Sequence, residues 1–293
     1  SERENLVGRL GGEDDVGALE DILSVGTSAG GARAKAVLAW NRDTGEFRSG
    51  QVKVDEGYEH WLLKFDGVSN NRDKELADPQ GFGKIEYAYY LMATGAGIDM
   101  SECRLHHEGG RSHFMTRRFD RDGRGRKLHM QSLGAIQHFD FNDPASYSYE
   151  QAILTIRDLG LGMDVVEQQY KRAVFNVVAR NQDDHVKNIS FLMDRSGAWR
   201  LSPAYDMAYS YNPSCSCTCD HQMSLAGKRN DFTHGDLMVF ASNVGLKSNK
   251  ANQAIEDIVD AVAKWQEFAE QAGVEHSDVS RIEKTFRMNL RGK

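Results

Sequence analysis

Apolar and polar positions alternate with a period of two in AKAVLAW, FRSGQVKV and HWLLKF, which follow a glycine-rich turn after Val25. That period predicts a small antiparallel sheet. In HWLLKF it puts Lys64 on the face opposite Trp61, Leu63 and Phe65, pointing toward a cleft. The period then lengthens: in KIEYAYYLMATGAG, residues Ile85, Ala88, Tyr89 and Met92 recur at helical spacing, and Gly95 and Gly97 are placed to stop the helix. LHHEGG and HFMTRRF read as strands that complete the sheet. Past RRFDRDGRGRK the stretches become longer and amphipathic, notably SYEQAILTIRDLGL and MDVVEQQYKRAVFNVVARN, the second opening with Asp164 and Glu167 as a capping pair. Two further helical patterns, KANQAIEDIVDAVAKWQEFAEQAGV and DVSRIEKTFRMNLR, end the chain. The expectation is an α+β protein of two lobes, a small β-rich N-lobe over 1–119 and a mainly helical C-lobe over 120–293.

Composition narrows the class. With 293 residues, 40% of them hydrophobic, the chain can bury one large core or two modest ones. No apolar run approaches the roughly 18 residues of a membrane span, and Ser1 to Glu20 is too polar for a signal peptide, so we expect a cytoplasmic protein without a membrane role. The opening run SERENLVGRLGGEDD has no initiator Met, which suggests a missing upstream segment. A net charge of −7 repels nucleic acid, so DNA is approached only through a partner. Cys103, Cys215, Cys217 and Cys219 are too few and too clustered for a disulfide framework, and reduced thiols are expected. The alternate spacing of the last three suits zinc poorly even with His221 nearby, and the run reads as a loop of free thiols. The charges of RRFDRDGRGRK read as a solvated connection.

Chemistry concentrates in RNQDDHVKNISFLMDRSGAWRLSPAYDM, from Arg180 to Met207. ISFLM and AWRLS form two short strands around the turn Asp194 to Gly197, so the chain leaves near Asn188 and returns near Pro203 at one end of a hairpin. Asp206 is thereby brought close to Asn188. An amide oxygen and a carboxylate facing one space suit Mg²⁺, a hard cation that shares its shell with phosphate and water. Asp183 lies five residues before Asn188. Phosphoryl transfer asks for such a set: a carboxylate to orient the attacking hydroxyl, oxygen ligands for a metal, and a lysine on the α- and β-phosphates, for which Lys64 is the candidate. The order D, N five residues on, then D after a hairpin follows the logic of HRDxxxxN and DFG, although YDM lacks the glycine. The backbone amides of TSAGGARAKA add a flexible loop able to approach phosphate oxygens. Glu86 is a possible partner for Lys64, with a solvated helix face as the equal alternative.

From about Val25 to Asp231 the chain resembles HipA-like serine/threonine kinases, carrying GTSAGGARAKA, EHWLLKF, TRRFDR, VFNVVARNQDDHVKN, LSPAYDM and HQMSLAGK in the same order. The resemblance implies a two-lobed protein-kinase-like fold that uses ATP and Mg²⁺. It implies Asp183 as catalytic base, Asn188 and Asp206 as metal ligands, and Lys64 with Gly30 and Gly31 of the glycine-rich loop as ATP contacts. His185 and Tyr205 would line the nucleotide site, and backbone groups around Arg117 and Phe119 would form the adenine-reading hinge. Ser28, with Thr27 as the alternative, matches the family's autophosphorylated loop residue. The implied setting is a toxin and antitoxin pair, with a helix-turn-helix partner supplying DNA binding and a protein substrate such as an aminoacyl-tRNA synthetase. A small-molecule phosphotransferase and an inactive kinase serving as corepressor scaffold are the alternatives.

Overall fold

The strand-forming alternation becomes one antiparallel sheet of six strands in a computed structural model that describes residues 7–9, 35–51, 55–67, 80–122, 125–143, 145–215 and 217–292. Ser28, Gly30 and Gly31 lie outside the described residues. The strands are β1 (Val7–Arg9), β2 (Lys35–Asn41), β3 (Glu46–Ser49), β4 (Tyr58–Lys64), β5 (Cys103–Glu108) and β6 (Arg111–Arg117), in the order β1-β3-β2-β4-β6-β5. Strand β4 pairs with β2 from Lys35↔Lys64 to Asn41↔Tyr58 and with β6 from Trp61↔Arg117 to Lys64↔Phe114. On its inner face Trp61, Leu63 and the following Phe65 join Leu38, Phe47 and Met115 in a buried cluster. A slip of one residue would carry Trp61 and Leu63 to the other face, at about 2 kcal/mol for each side chain exposed. The register is therefore strongly held.

Helix α1 (Phe82–Gly95) follows β4. Its first amides are satisfied by Asp66, whose carboxylate accepts from Gly81 at 3.0 Å and from Gly83 at 3.4 Å. Gly83 has to be glycine, since a Cβ there would lie 2.2 Å from the Ser112 carbonyl of β6. Ile85, Ala88, Tyr89 and Met92 are all buried, as their spacing predicts, and Gly97 turns left-handed at φ 75° just past the helix. The chain divides into two compact units, Ser1–Tyr87 with Ser101–Lys127, and Ala88–Met100 with Leu128–Lys293, so the division falls within α1.

The second unit is helical around a three-stranded sheet of β7 (His129–Ser132), β8 (Ser190–Met193) and β9 (Trp199–Leu201). The predicted hairpin is β8–β9, closed by Asp194 and by Gly197 at φ 85°; β7, which the amphipathic reading passed over, pairs along its other edge. Helix α2 (Leu133–Gln137) follows β7, and α3 (Tyr149–Asp158) starts with a capping box between Ser148 and Gln151. Helix α4 (Met163–Val178) corrects the expected capping pair. Its cap is Gly162 without a side-chain bond, Asp164 sits inside the first turn where a carboxylate suits the helix dipole, and Glu167 binds Lys250 at 2.6 Å. Helix α5 (His234–Asn243), capped by Thr233 and Asp236, was not anticipated. The long C-terminal pattern breaks at Lys264 into α6 (Ser248–Ala263) and α7 (Trp265–Gln271), with α8 (His276–Glu283) and a 3₁₀ turn, Met288–Leu290, beyond. Tyr89, Phe175, Trp265 and Phe286 form a chain of edge-on rings in this core.

Candidate active site

The loop from Arg180 to Ile189 leaves α4 through a left-handed residue, Arg180 at φ 59°. It is then pinned by its own backbone. The Asn188 amide donates to the His185 carbonyl at 2.9 Å, while Leu133 and Gly134 at the start of α2 donate to the carbonyls of Ile189 and Val186. Asn188 closes the loop by donating through Nδ2 to the Asp183 carbonyl at 2.9 Å, so its Oδ1 is the end offered to a cation.

The returning strand is tied to the same loop. Ser202 N donates to the Ser190 carbonyl at 2.8 Å, and the Tyr205 hydroxyl lies 2.5 Å from both the Lys187 carbonyl and Ser190 Oγ. A carbonyl only accepts, so Tyr205 donates to Lys187 and receives from Ser190. Burial pushes the Tyr205 hydroxyl up to about 12, which keeps it a donor. Its hydroxyl thus braces the loop, leaving the ring as the part able to line a nucleotide site. Asp206 follows in the left-handed region, at φ 56°.

Asn188 and Asp206, with Asp184, His185 and Tyr205, line one cavity, and Asp183 is not among its lining residues. Asp183 is half exposed, at 52%, with His185 Nε2 3.6 Å from its carboxylate. Partial desolvation raises its carboxyl above the ordinary value, and Asp206 and Asp184 add to this against the opposing pull of His185 and Lys187. An amide oxygen and a carboxylate lining one cavity could together hold a hard divalent cation. Among the described residues no three His, Cys, Asp or Glu side chains gather into a metal cage. The same cavity has room for about one water and is lined by Gln169 and Arg172, whose Oε1 and Nε are buried without a protein partner.

In the first unit Lys64 is buried and bound to Glu86 at 2.5 Å, which settles the Glu86 alternative as an ion pair. Arg117 and Phe119 lie at the end of β6 and in the turn after it. The Arg117 amide donates to Glu102 and the Arg118 amide to His60, each at 2.8 Å. The charges of the following segment pair locally, Arg118 and Arg121 on Asp120 and Arg126 on Asp122.

The cysteine run departs from expectation. Cys215 and Cys217 are bonded to each other, their Cα atoms 5.2 Å apart and within disulfide reach, so only Cys103 and Cys219 are free thiols. His221 turns away from them into the core and binds Asp184 at 2.7 Å. Sequence reasoning missed Asp184 as a site residue. Its carboxylate is fully enclosed and accepts from Tyr149 at 2.6 Å and from the Gln222 amide at 2.8 Å as well. Burial alone would raise it, but His221, Tyr149 and Gln222 together hold it below the usual range.

A family model described as the HipA-like C-terminal domain matches residues 27–266. The chain is 23% identical over 234 residues to a Haemophilus influenzae protein named "Putative kinase", covering 70% of this chain and 68% of that one. It is 24% identical over 199 residues to "Putative kinase Y4mE" of Sinorhizobium fredii, covering 62% and 46%. Among solved structures it is similar, at 17% identity and a TM-score of 0.65, to a chain of the Shewanella oneidensis HipA, HipB and operator DNA complex. That match covers 90% of this chain and 63% of the solved one, so the chain spans less than two thirds of that relative's length. The likeness shows the expected α+β fold, a β-sheet region followed by a mainly helical one. Among the described residues no helix is long and apolar enough to cross a membrane.

Proposed function

The chain belongs to the family of HipA-like C-terminal domains, and on that premise we propose that it is an ATP-dependent kinase acting on serine or threonine hydroxyls of a protein. The observation that carries this reading is the cavity on which Asn188 and Asp206 converge, with Asp183 at the start of the same loop. Asp183 orients the attacking hydroxyl and takes its proton as the oxygen bonds to the γ-phosphorus and the bridge to the β-phosphate breaks. A carboxyl raised above its ordinary value is suited to accept that proton. Asn188 and Asp206 would hold Mg²⁺, whose contribution when bound is to neutralise phosphate charge. Lys64, steadied by Glu86, supplies the ammonium for the α- and β-phosphates. Gly30, Gly31, Arg117, Phe119, His185 and the Tyr205 ring complete the proposed nucleotide contacts, with Ser28 as the site of self-phosphorylation. The Shewanella complex contains HipB and operator DNA; by analogy the partner is a small DNA-binding antitoxin, and DNA is reached through it.

The test is incubation with γ-labelled ATP, Mg²⁺ and cell extract, with mass spectrometry of the protein itself to locate any phosphate. Label should enter a discrete protein band, and Asp183→Ala or Asp206→Ala should lower its rate by about 10³-fold or more. Transfer surviving in either variant refutes the assignment. Label confined to small metabolites would mean a small-molecule phosphotransferase, and ATP binding without turnover would mean a scaffold.

A further inference from the structure

Asp183 sits between two residues whose side chains are withdrawn into the protein. Gln182 is fully buried and donates to the Cys219 carbonyl at 3.0 Å. Asp184 is bound to Tyr149, Gln222 and His221. Behind His221 stands a residue from the far end of the chain, since Arg287 Nη1 lies 2.9 Å from His221 Nε2. The same guanidinium donates to the Val177 carbonyl at 2.9 Å and to Asn230 at 2.6 Å, and Phe232 packs against both the imidazole and the guanidinium. The segment's own backbone is fastened too, as Arg287 N donates to the Val178 carbonyl at 3.0 Å and the Arg180 side chain donates through Nε to the Thr285 carbonyl at 2.7 Å.

Proton positions follow from the donors. A guanidinium has no acceptor, so His221 Nε2 must accept from Arg287, and the ring proton must sit on Nδ1, where it donates to Asp184. Cation, neutral imidazole and carboxylate thus form one directed chain, Arg287 to His221 to Asp184, with every link buried. A loop has no strand or helix ladder to hold its backbone. Its few backbone bonds lie mostly from His185 onward, and locking the side chain next to the half-exposed Asp183 adds a hold at its start.

We propose that Arg287 and His221 are positioning residues which, through Asp184, hold the Asp183 carboxylate in place for the reaction. The functional half of this rests on the kinase reading above; the structural half does not. The experiment compares wild type with Arg287→Met and Arg287→Lys by three measurements: hydrogen exchange at 182–188 with strand Tyr58–Lys64 as internal reference, the His221 tautomer by nitrogen NMR, and kcat and KM for ATP. Second-layer partners of this kind carry about 10- to 100-fold effects. In Arg287→Met the loop should exchange at least tenfold faster while the reference strand is unchanged, and kcat should fall tenfold or more with KM for ATP within twofold. Arg287→Lys, which can reach one of the three acceptors, should lie between. Should Arg287→Met not fold, the lysine variant carries the comparison. Loop exchange equal to wild type in a folded variant, or a wild-type His221 carrying its proton on Nε2, overturns the proposal. If the wild type moves no phosphate at all, the kinase reading fails while exchange and tautomer still decide the chain.

Discussion

Lys64 and Glu86 in the first unit and Asp184, His221 and Arg287 in the second are two ways of burying charge. In the first, an ammonium on strand β4 meets a carboxylate on helix α1 directly, at 2.5 Å. In the second, carboxylate and guanidinium are separated by an imidazole that bonds to both, at 2.7 Å and 2.9 Å. The backbones of strand and helix are satisfied by their own ladders, and the two side chains meet directly, with the Phe114 ring 5.6 Å from the ammonium. The loop around Asp183 has no such ladder, and its neighbouring carboxylate is held from several sides. Buried charge here follows the regularity of the backbone that carries it: a direct ion pair between regular elements, an imidazole-bridged network under a loop.

Within this comparison the larger effect should come from breaking the direct pair. Lys64→Met should cut ATP-dependent transfer by about 10²-fold, as loss of a preorganised electrostatic group does, and should also destabilise the fold by about 3 kcal/mol because Glu86 is left buried and alone. The double variant Lys64→Met with Glu86→Leu should regain most of that stability by chemical denaturation and none of the transfer. Transfer returning with stability would show the pair to be purely structural. On the network side, Tyr149→Phe removes one of several donors to Asp184 and should cost only about 1–2 kcal/mol, read as a shift in the denaturation midpoint. A loss as large as that of the lysine variant would break the contrast.

The smallest effect separates the adjacent carboxyls, since Asp183 is raised and Asp184 lowered. A raised carboxyl disfavours its charged form in the folded protein. Asp183→Asn should therefore raise the melting temperature slightly at neutral pH, and the gain should vanish at acid pH once wild-type Asp183 is protonated. A difference that stays flat across the titration would contradict it.

What could be read in the chain was whatever depended on neighbours in sequence. The direction of Lys64 followed from alternation in HWLLKF, and the meeting of Asn188 with Asp206 followed from a short hairpin whose turn residues are explicit. The network was opaque because its links join positions 37 and 66 residues apart, on loops without periodicity. Strand β7 was hidden for a related reason: its side chains are exposed or half-buried, and its partner is β8, far along the chain. Asp164 with Glu167 resembled a cap by spacing, yet the same carboxylate serves as well one turn position further in. The Cys215–Cys217 bond escaped an argument aimed at long-range disulfide frameworks.

Asp206 carries one last implication through its left-handed backbone. Few residue types sit comfortably there: glycine without penalty, asparagine and aspartate at modest expense, branched and bulky ones hardly at all. On the proposed reading, a magnesium ligand facing phosphate would draw from a different short set, headed by the carboxylates. The two sets share aspartate and asparagine, and of these only aspartate brings a charge; glutamate keeps the charge and loses the conformation. A position filtered twice in this way has almost nowhere to drift.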